Sequence, residues 1–342
     1  MLTSELDYEL PEDLIAQSPA DPRDASRLMV VDVRRKTIAH HTFRDLPRFL
    51  LPGDALVLNE TKVLPARLEA KKPTGGEVEL LFLRELGPDH GGAWEVLARP
   101  SKRLRPGLGL LAGGDRLEIV ESLGEGHWVV YSPNVRGLLE RCGRMPLPPY
   151  ISPTPETERS YQTVYARNEG SAAAPTAGFH FTERVLQGAE RAGARIASIT
   201  LHVGVGTFMP VRTERLEEHK MHAEYYSVPR EAARIVEGSS RVVAAGTTVA
   251  RTLETWAATG EAEGESELFV YPGYRWRSVD TLLTNFHLPR STLLAMVMSF
   301  GGKGLVREAY RVAIEERYRF YSFGDAMLLI GGGRNLWMPR SP

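Results

Sequence analysis

Between about residue 63 and residue 149 the chain changes rhythm, and this change limits the fold more than any other feature. Short apolar runs at 67–70, 77–83, 94–98, 115–120 and 127–131 are separated by the glycine pairs Gly75-Gly76, Gly91-Gly92 and Gly113-Gly114. Regularly spaced runs of this length, with turns built by glycine, predict the strands of a small β-barrel or sandwich. The proline-rich stretch from Met145 to Tyr150 is a stiff exit.

The flanking sequence reads differently. Strands are expected over 28–33 and 56–58, and a short helix over 11–15 with Pro11 at its start. Beyond residue 150, apolar residues at helical spacing (Val185, Leu186, Ala189) predict a helix over 182–192 that Gly193 stops. Strands over 196–203, 241–245, 268–271, 279–283 and 326–330 alternate with helices over 248–258, 291–300 and 305–318. This order predicts a mixed-sheet α/β domain formed by residues 1–62 and 150–342, with a small β-barrel domain of residues 63–149 inserted into it.

Charge and cysteine content narrow the function. The formal net charge is −1, so no global field recruits a polyanion and an RNA partner has to be held by local patches. Three basic patches are candidates: Lys62 with Arg67, Lys102 with Arg103 and Arg105, and Arg275 with Arg277 around Trp276. Basic and aromatic side chains together hold phosphates and stack an exposed base. The single cysteine, Cys142, excludes an intramolecular disulfide and a multi-cysteine zinc site within the chain. The acidic start lacks the pattern of a signal peptide. The strongest apolar run, 293–300, is well short of the roughly 20 residues that cross a bilayer. A cytoplasmic monomer with no membrane partner is expected.

In open α/β sheets, ligands bind beyond the carboxyl ends of the strands. Four expected strands run directly into polar or glycine-rich loops: Gly204–Phe208, Gly246-Thr247-Thr248, Pro272-Gly273-Tyr274, and the segment from Thr284 to Pro289. Gly246-Thr247-Thr248 opens a helix, whose free N–H groups suit a carboxylate or phosphate, although threonine there also serves as an ordinary cap. His180, His202 and His287 lie in or beside such loops and titrate near neutral pH. Asn285 can read an amide, a hydroxyl or a base edge. His219 and His222 stand three residues apart, which is not the i,i+4 spacing of a zinc helix, and no metal is expected. Arg319, Ser322 and Asp325 fall in one aromatic-rich turn, where arginine and aspartate either pair structurally or face a ligand.

Read in order, these segments resemble the S-adenosylmethionine:tRNA ribosyltransferase-isomerase family of queuosine synthesis. The resemblance runs over nearly the whole chain. It is carried by NETKVLPAR (Asn59 to Arg67), LARPSK (Leu97 to Lys102), LPPYI (Leu147 to Ile151), AAPTAGFHFT (Ala173 to Thr182), HVGVGTF (His202 to Phe208), HKMH (His219 to His222), TNFHLPRSTLL (Thr284 to Leu294) and YRFYSFGDAM (Tyr318 to Met327). Glu60 and Lys62 stand where the family pattern has Asp and Arg; lysine keeps the charge but not the bidentate geometry. The resemblance implies the α/β domain with an early barrel insertion. It also implies transfer and isomerisation of the ribosyl group of S-adenosylmethionine onto 7-aminomethyl-7-deazaguanine at the tRNA wobble position. Epoxyqueuosine-tRNA, adenine and methionine would be the products.

On that basis no cofactor is expected, S-adenosylmethionine being a co-substrate. His180 or His202 is expected to act as the base. Asn285 and His287 are expected to hold the adenine or ribose, and Thr176 and Gly178 to admit the ligand to the backbone. Gly204, Gly206 and Thr207 are further substrate-loop candidates. Arg319 and Asp325 would orient the substrates, with Asp325 among the catalytic candidates. Lys62, Arg67, Lys102, Arg103, Arg275 and Arg277 would meet the tRNA. A methyltransferase is disfavoured by the lack of a glycine-rich loop after an early strand. A noncatalytic tRNA-binding protein would bind RNA without cleaving the sulfonium.

Overall fold

The structure is a computed structural model that describes residues 1–87, 90–204 and 210–334. In chain order its first strands are β1 (Arg27–Asp32), β2 (Thr37–Thr42), β3 (Asp54–Asn59) and β4 (Thr61–Val63). The inserted unit follows: β5 (Arg67–Lys71), β6 (Glu77–Glu85), β7 (Trp94–Arg99), β8 (Gly109–Ala112), β9 (Asp115–Gly124), β10 (His127–Tyr131) and α1 (Val135–Cys142). Then come α2 (Pro155–Ser160), β11 (Asn168–Ser171), α3 (Glu183–Arg191), β12 (Arg195–Leu201), β13 (Glu224–Ser227) and α4 (Arg230–Glu237). The chain finishes with β14 (Arg241–Ala245), α5 (Thr247–Thr259), β15 (Glu263–Ser266), β16 (Thr281–Asn285), α6 (Thr292–Gly301), α7 (Lys303–Glu315) and β17 (Ala326–Ile330).

β5 to β10 close into a six-stranded barrel in the order β10-β7-β6-β5-β8-β9. Alternate residues of β5 face in (Leu68, Ala70) and out (Glu69, Lys71), as a half-buried strand requires. Asn134 caps α1 by accepting the Gly137 N–H, and the helix buries Val135, Leu138 and Leu139 in the barrel core. Where the chain enters and leaves the barrel, Arg67 and Arg144 exchange backbone hydrogen bonds, so the two crossings lie side by side.

The other domain holds a nine-stranded sheet in the order β15-β13-β12-β3-β14-β16-β17-β1-β2. β12, β3, β14 and β16 are mutually parallel, while β17 runs against β16 and with β1, so the sheet is mixed. β3 (DALVLN) is buried along its whole length, the continuous apolar run of a strand covered on both faces. α6 is apolar nearly all round and sits inside the core. Among the described residues no helix is long and apolar enough to cross a membrane.

One expectation about this sheet needs correction. The segment 268–271 is not a strand; the edge strand is β15, just before it. Its sequence EGES has no apolar alternation, because it pairs with β13 at the sheet edge. β17, the last strand in chain order, lies inside the sheet between β16 and β1.

Candidate active site at the carboxyl end of the central strands

Because β12, β3, β14 and β16 are parallel, their carboxyl ends meet at one edge of the sheet. β17 and β1 run the other way, so their first residues arrive at the same edge. Gly246, Asn285, His287, Asp325 and Ser26 are brought together there from distant parts of the sequence. The turn Thr176–His180 crosses over them. A cleft opens between this turn and the strand ends, and Thr176, Gly246, Thr248, Thr284, Asn285 and His287 are on its wall. Gly246 has φ +111°, a left-handed-side conformation that favours glycine, and it directs the chain from β14 into α5.

The three histidines have different surroundings. His180 is buried, stacked on Phe43, with Nδ1 2.8 Å from Ser26 Oγ and Nε2 3.3 Å from Asn285 Oδ1. Asn285 spends its amide hydrogens on the carbonyls of Tyr321 and Ser322, at 2.9 and 3.2 Å. Its Oδ1 is therefore the acceptor, His180 Nε2 carries the hydrogen, and Nδ1 accepts from Ser26. Burial, with help from the Arg319 and Arg23 charges, pushes the His180 pKa down to about 4, against the Asn285 hydrogen bond. Both ring nitrogens are thus engaged and the ring is neutral at pH 7.

His202 lies outside the cleft wall. Its Nδ1 is 2.8 Å from Thr61 Oγ1, its ring stacks on Tyr225, and the Gly170 backbone approaches so closely that a Cβ there would lie 2.7 Å from Nε2. Burial lowers its pKa. His287 is the histidine on the wall. Its Nε2 is 2.6 Å from Thr284 Oγ1, Tyr310 Oη accepts the His287 N–H at 3.0 Å, and Tyr8 Oη donates to the His287 carbonyl. Burial holds its pKa down to about 3, so it too is neutral.

The remaining candidates spread out. Gly178 packs against Tyr165 and Thr163; a Cβ there would meet Tyr165 Oη at 2.2 Å. Asp325 is buried and accepts the backbone N–H groups of Arg27 and Arg319, each at 2.8 Å, which ties the 319–325 turn to the start of β1. Burial raises its pKa despite these bonds. Arg319 donates to the Ser18 carbonyl at 3.2 Å. Gly204 donates its N–H to Glu224 Oε1 at 2.7 Å. Gly206 and Thr207 lie outside the described residues.

Of the basic residues, Lys62 is the middle residue of β4, the short strand that follows the carboxyl end of β3, and pairs with Glu169 at 2.8 Å. Arg67 pairs with Glu79 at 3.1 Å, and exposed Lys102 and Arg103 lie on the loop between β7 and β8. Arg275 and Arg277 are exposed on the loop that enters β16, at the opposite end of the sheet from the cleft. Among the described residues no three His, Cys, Asp or Glu side chains converge as a metal site.

Sequence reasoning passed over Thr284 as the partner of His287, and Ser26 and Phe43 as the partners of His180. It also passed over Arg251 and Glu224, whose buried ion pair lies beside the cleft. The local signal for Arg251 was a charged residue, with Glu254 three positions on, within a helix otherwise made of apolar and small residues.

The family of queuosine biosynthesis proteins matches the chain over residues 3–329. A protein of Rubrobacter xylanophilus described as S-adenosylmethionine:tRNA ribosyltransferase-isomerase is 74% identical over 98% of this chain and all of its own length. One of the same description from Moorella thermoacetica is 50% identical over 96% of this chain and all of its own. The crystal structure of S-adenosylmethionine tRNA ribosyltransferase from Thermotoga maritima aligns with a TM-score of 0.55 at 38% identity, covering 96% of this chain and all of that one.

Proposed function

The chain belongs to the S-adenosylmethionine:tRNA ribosyltransferase-isomerase family of queuosine biosynthesis, and from that premise we propose its substrates, its products and the site of its chemistry. The ribosyl group of S-adenosylmethionine is transferred to the aminomethyl group of 7-aminomethyl-7-deazaguanine at the tRNA wobble position and isomerised. Epoxyqueuosine-tRNA forms, and adenine and methionine leave.

One observation carries the placement. Residues of the stretches Ala173 to Thr182 and Thr284 to Leu294, far apart in sequence, line a single cleft at the sheet edge. His287 on that wall is the proton acceptor for the 5′ carbon, which the adjacent sulfonium acidifies. A neutral imidazole is ready to accept. Burial penalises the imidazolium that forms, but the sulfonium substrate becomes a net-neutral ylide in the same step, so charge moves within the cleft without being added to it. Thr284 orients the ring. His180 acts as a positioning residue: it holds Asn285, which in turn fixes the 319–325 turn. Lys62 and the barrel face beside it meet the tRNA backbone.

The test is adenine release from S-adenosylmethionine, with and without tRNA carrying the 7-aminomethyl-7-deazaguanine base. Release that depends on this tRNA, with a matching mass gain on the modified base, is expected. A folded protein that binds the tRNA and releases no adenine would contradict the proposal.

A further inference from the structure

A second cleft, which the reaction scheme above leaves unused, adjoins the first. It shares Thr247, Thr248 and Leu293 with it. Its polar wall is an ion pair. Arg251 donates to Glu224 Oε2 through Nη1, and to the carbonyls of His222 and Ser266 through Nη2 at 3.0 and 2.6 Å. Both side chains are buried, each residue only 5% exposed. Among the described residues one atom of this arrangement has no partner: Arg251 Nε, buried on a residue that lines the cleft. A guanidinium N–H withdrawn from water without an acceptor is costly. The start of α5 lies on the same wall, and no side chain among the described residues caps it, so its first N–H groups add a positive end. The lining also includes apolar and polarisable side chains: Met221, Leu268, Phe269 and Met296.

We propose that this second cleft is the subsite for the amino-acid end of S-adenosylmethionine, an inference that rests on the functional reading above. The substrate carboxylate docks on Arg251 Nε and the start of α5, and the α-ammonium faces Glu224. The chain to sulfur lies along Met221 and Met296, with the sulfonium near the Phe269 ring, where a cation is attracted. A zwitterion suits a buried Arg–Glu pair better than a single charge does. A phosphate would be repelled by Glu224 and a lone ammonium by Arg251, whereas the two ends of an α-amino acid complement both. The shared wall at Thr247, Thr248 and Leu293 leads from this subsite into the first cleft, so the ribose and adenine extend towards His287.

Equilibrium dialysis of the wild-type chain against S-adenosylmethionine and its decarboxylated analogue tests the subsite, with the R251K variant alongside and thermal melts of both proteins. R251K keeps the charge and loses the fork. The wild type is expected to prefer the carboxylated ligand by about 10- to 100-fold, the scale of one charge-assisted contact, and R251K to lose most of that preference. Equal affinity of the two ligands on the wild type overturns the subsite whether or not R251K folds. Equal weakening of both ligands by R251K overturns it as well, since that marks a structural role. tRNA-dependent adenine release measured on the same wild-type preparation separates the two readings. Release together with equal affinities removes only the subsite, and neither binding nor release removes both.

Discussion

The barrel and the sheet edge of this chain bury different materials. Between Arg67 and Cys142, Ser132 is the only buried polar residue among those described. At the sheet edge Ser26, Asn59, Thr61, His180, Thr248, Thr284, Asn285, His287, Ser322 and Asp325 are all buried. Buried polar groups lower stability unless every donor and acceptor is met. A fold concentrates them where their chemistry is used. The barrel is a packed core, and the sheet edge is a polar network held in place by packing such as the aromatic group of Tyr8, Phe286, Tyr310 and Phe320.

The largest break in this contrast is expected from Asn285→Leu. It strands the His180 Nε2–H and the carbonyls of Tyr321 and Ser322. At about 1–3 kcal/mol for an unsatisfied buried group, the total is about 4 kcal/mol. Turnover should fall at least about 100-fold in the surviving folded protein, as expected when a positioning network is lost. Urea unfolding and adenine release check the two effects separately.

In the barrel, Leu117→Ala empties a fully buried position and should cost about 3 kcal/mol. Turnover per folded molecule should stay near the wild-type value. A matching loss of turnover would show that barrel packing and site geometry are not independent.

Acid should act on the sheet edge next. With a pKa held down to about 4, folded His180 refuses a proton that the unfolded chain accepts near 6.5. The stability from this group is complete above about pH 6.5 and is lost as pH falls towards 4, at roughly 1.4 kcal/mol per unit. Between pH 6.5 and 5 that amounts to about 2 kcal/mol. His287, held near 3, acts in the same direction. His180→Gln should remove about half of the slope, read from unfolding at several pH values.

The smallest effects belong to the surface. Lys62→Ala breaks an exposed pair with Glu169 and should change stability by less than about 1 kcal/mol. It should weaken tRNA binding and reduce the salt slope by about one. Arg275→Ala with Arg277→Ala, at the other end of the sheet, should leave tRNA affinity unchanged in the same titration.

The same contrast explains what was legible in the sequence. Alternation at period two and paired glycines are local signals, so the barrel could be read directly; β8 (GLLA) was missed because it is short and follows closely on another turn. The parallel strands of the sheet could be read from their apolar runs, and Gly246 and Asn285 from the loops that follow β14 and close β16. The roles of the histidines could not. His180 acquires its environment from Ser26 and Phe43, more than a hundred residues earlier in the chain, and Asn285, more than a hundred later. Arg251 and Glu224 likewise meet only when β13 packs beside α5. Such pairings follow from strand order, which no local pattern encodes.

The most direct test compares His287→Gln with Leu117→Ala in tRNA-dependent adenine release, at a temperature where melts show both variants folded. The cleft variant is expected to lose at least about 100-fold in kcat while the barrel variant turns over like the wild type. Wild-type turnover by folded His287→Gln would contradict the placement of the chemistry at the sheet edge.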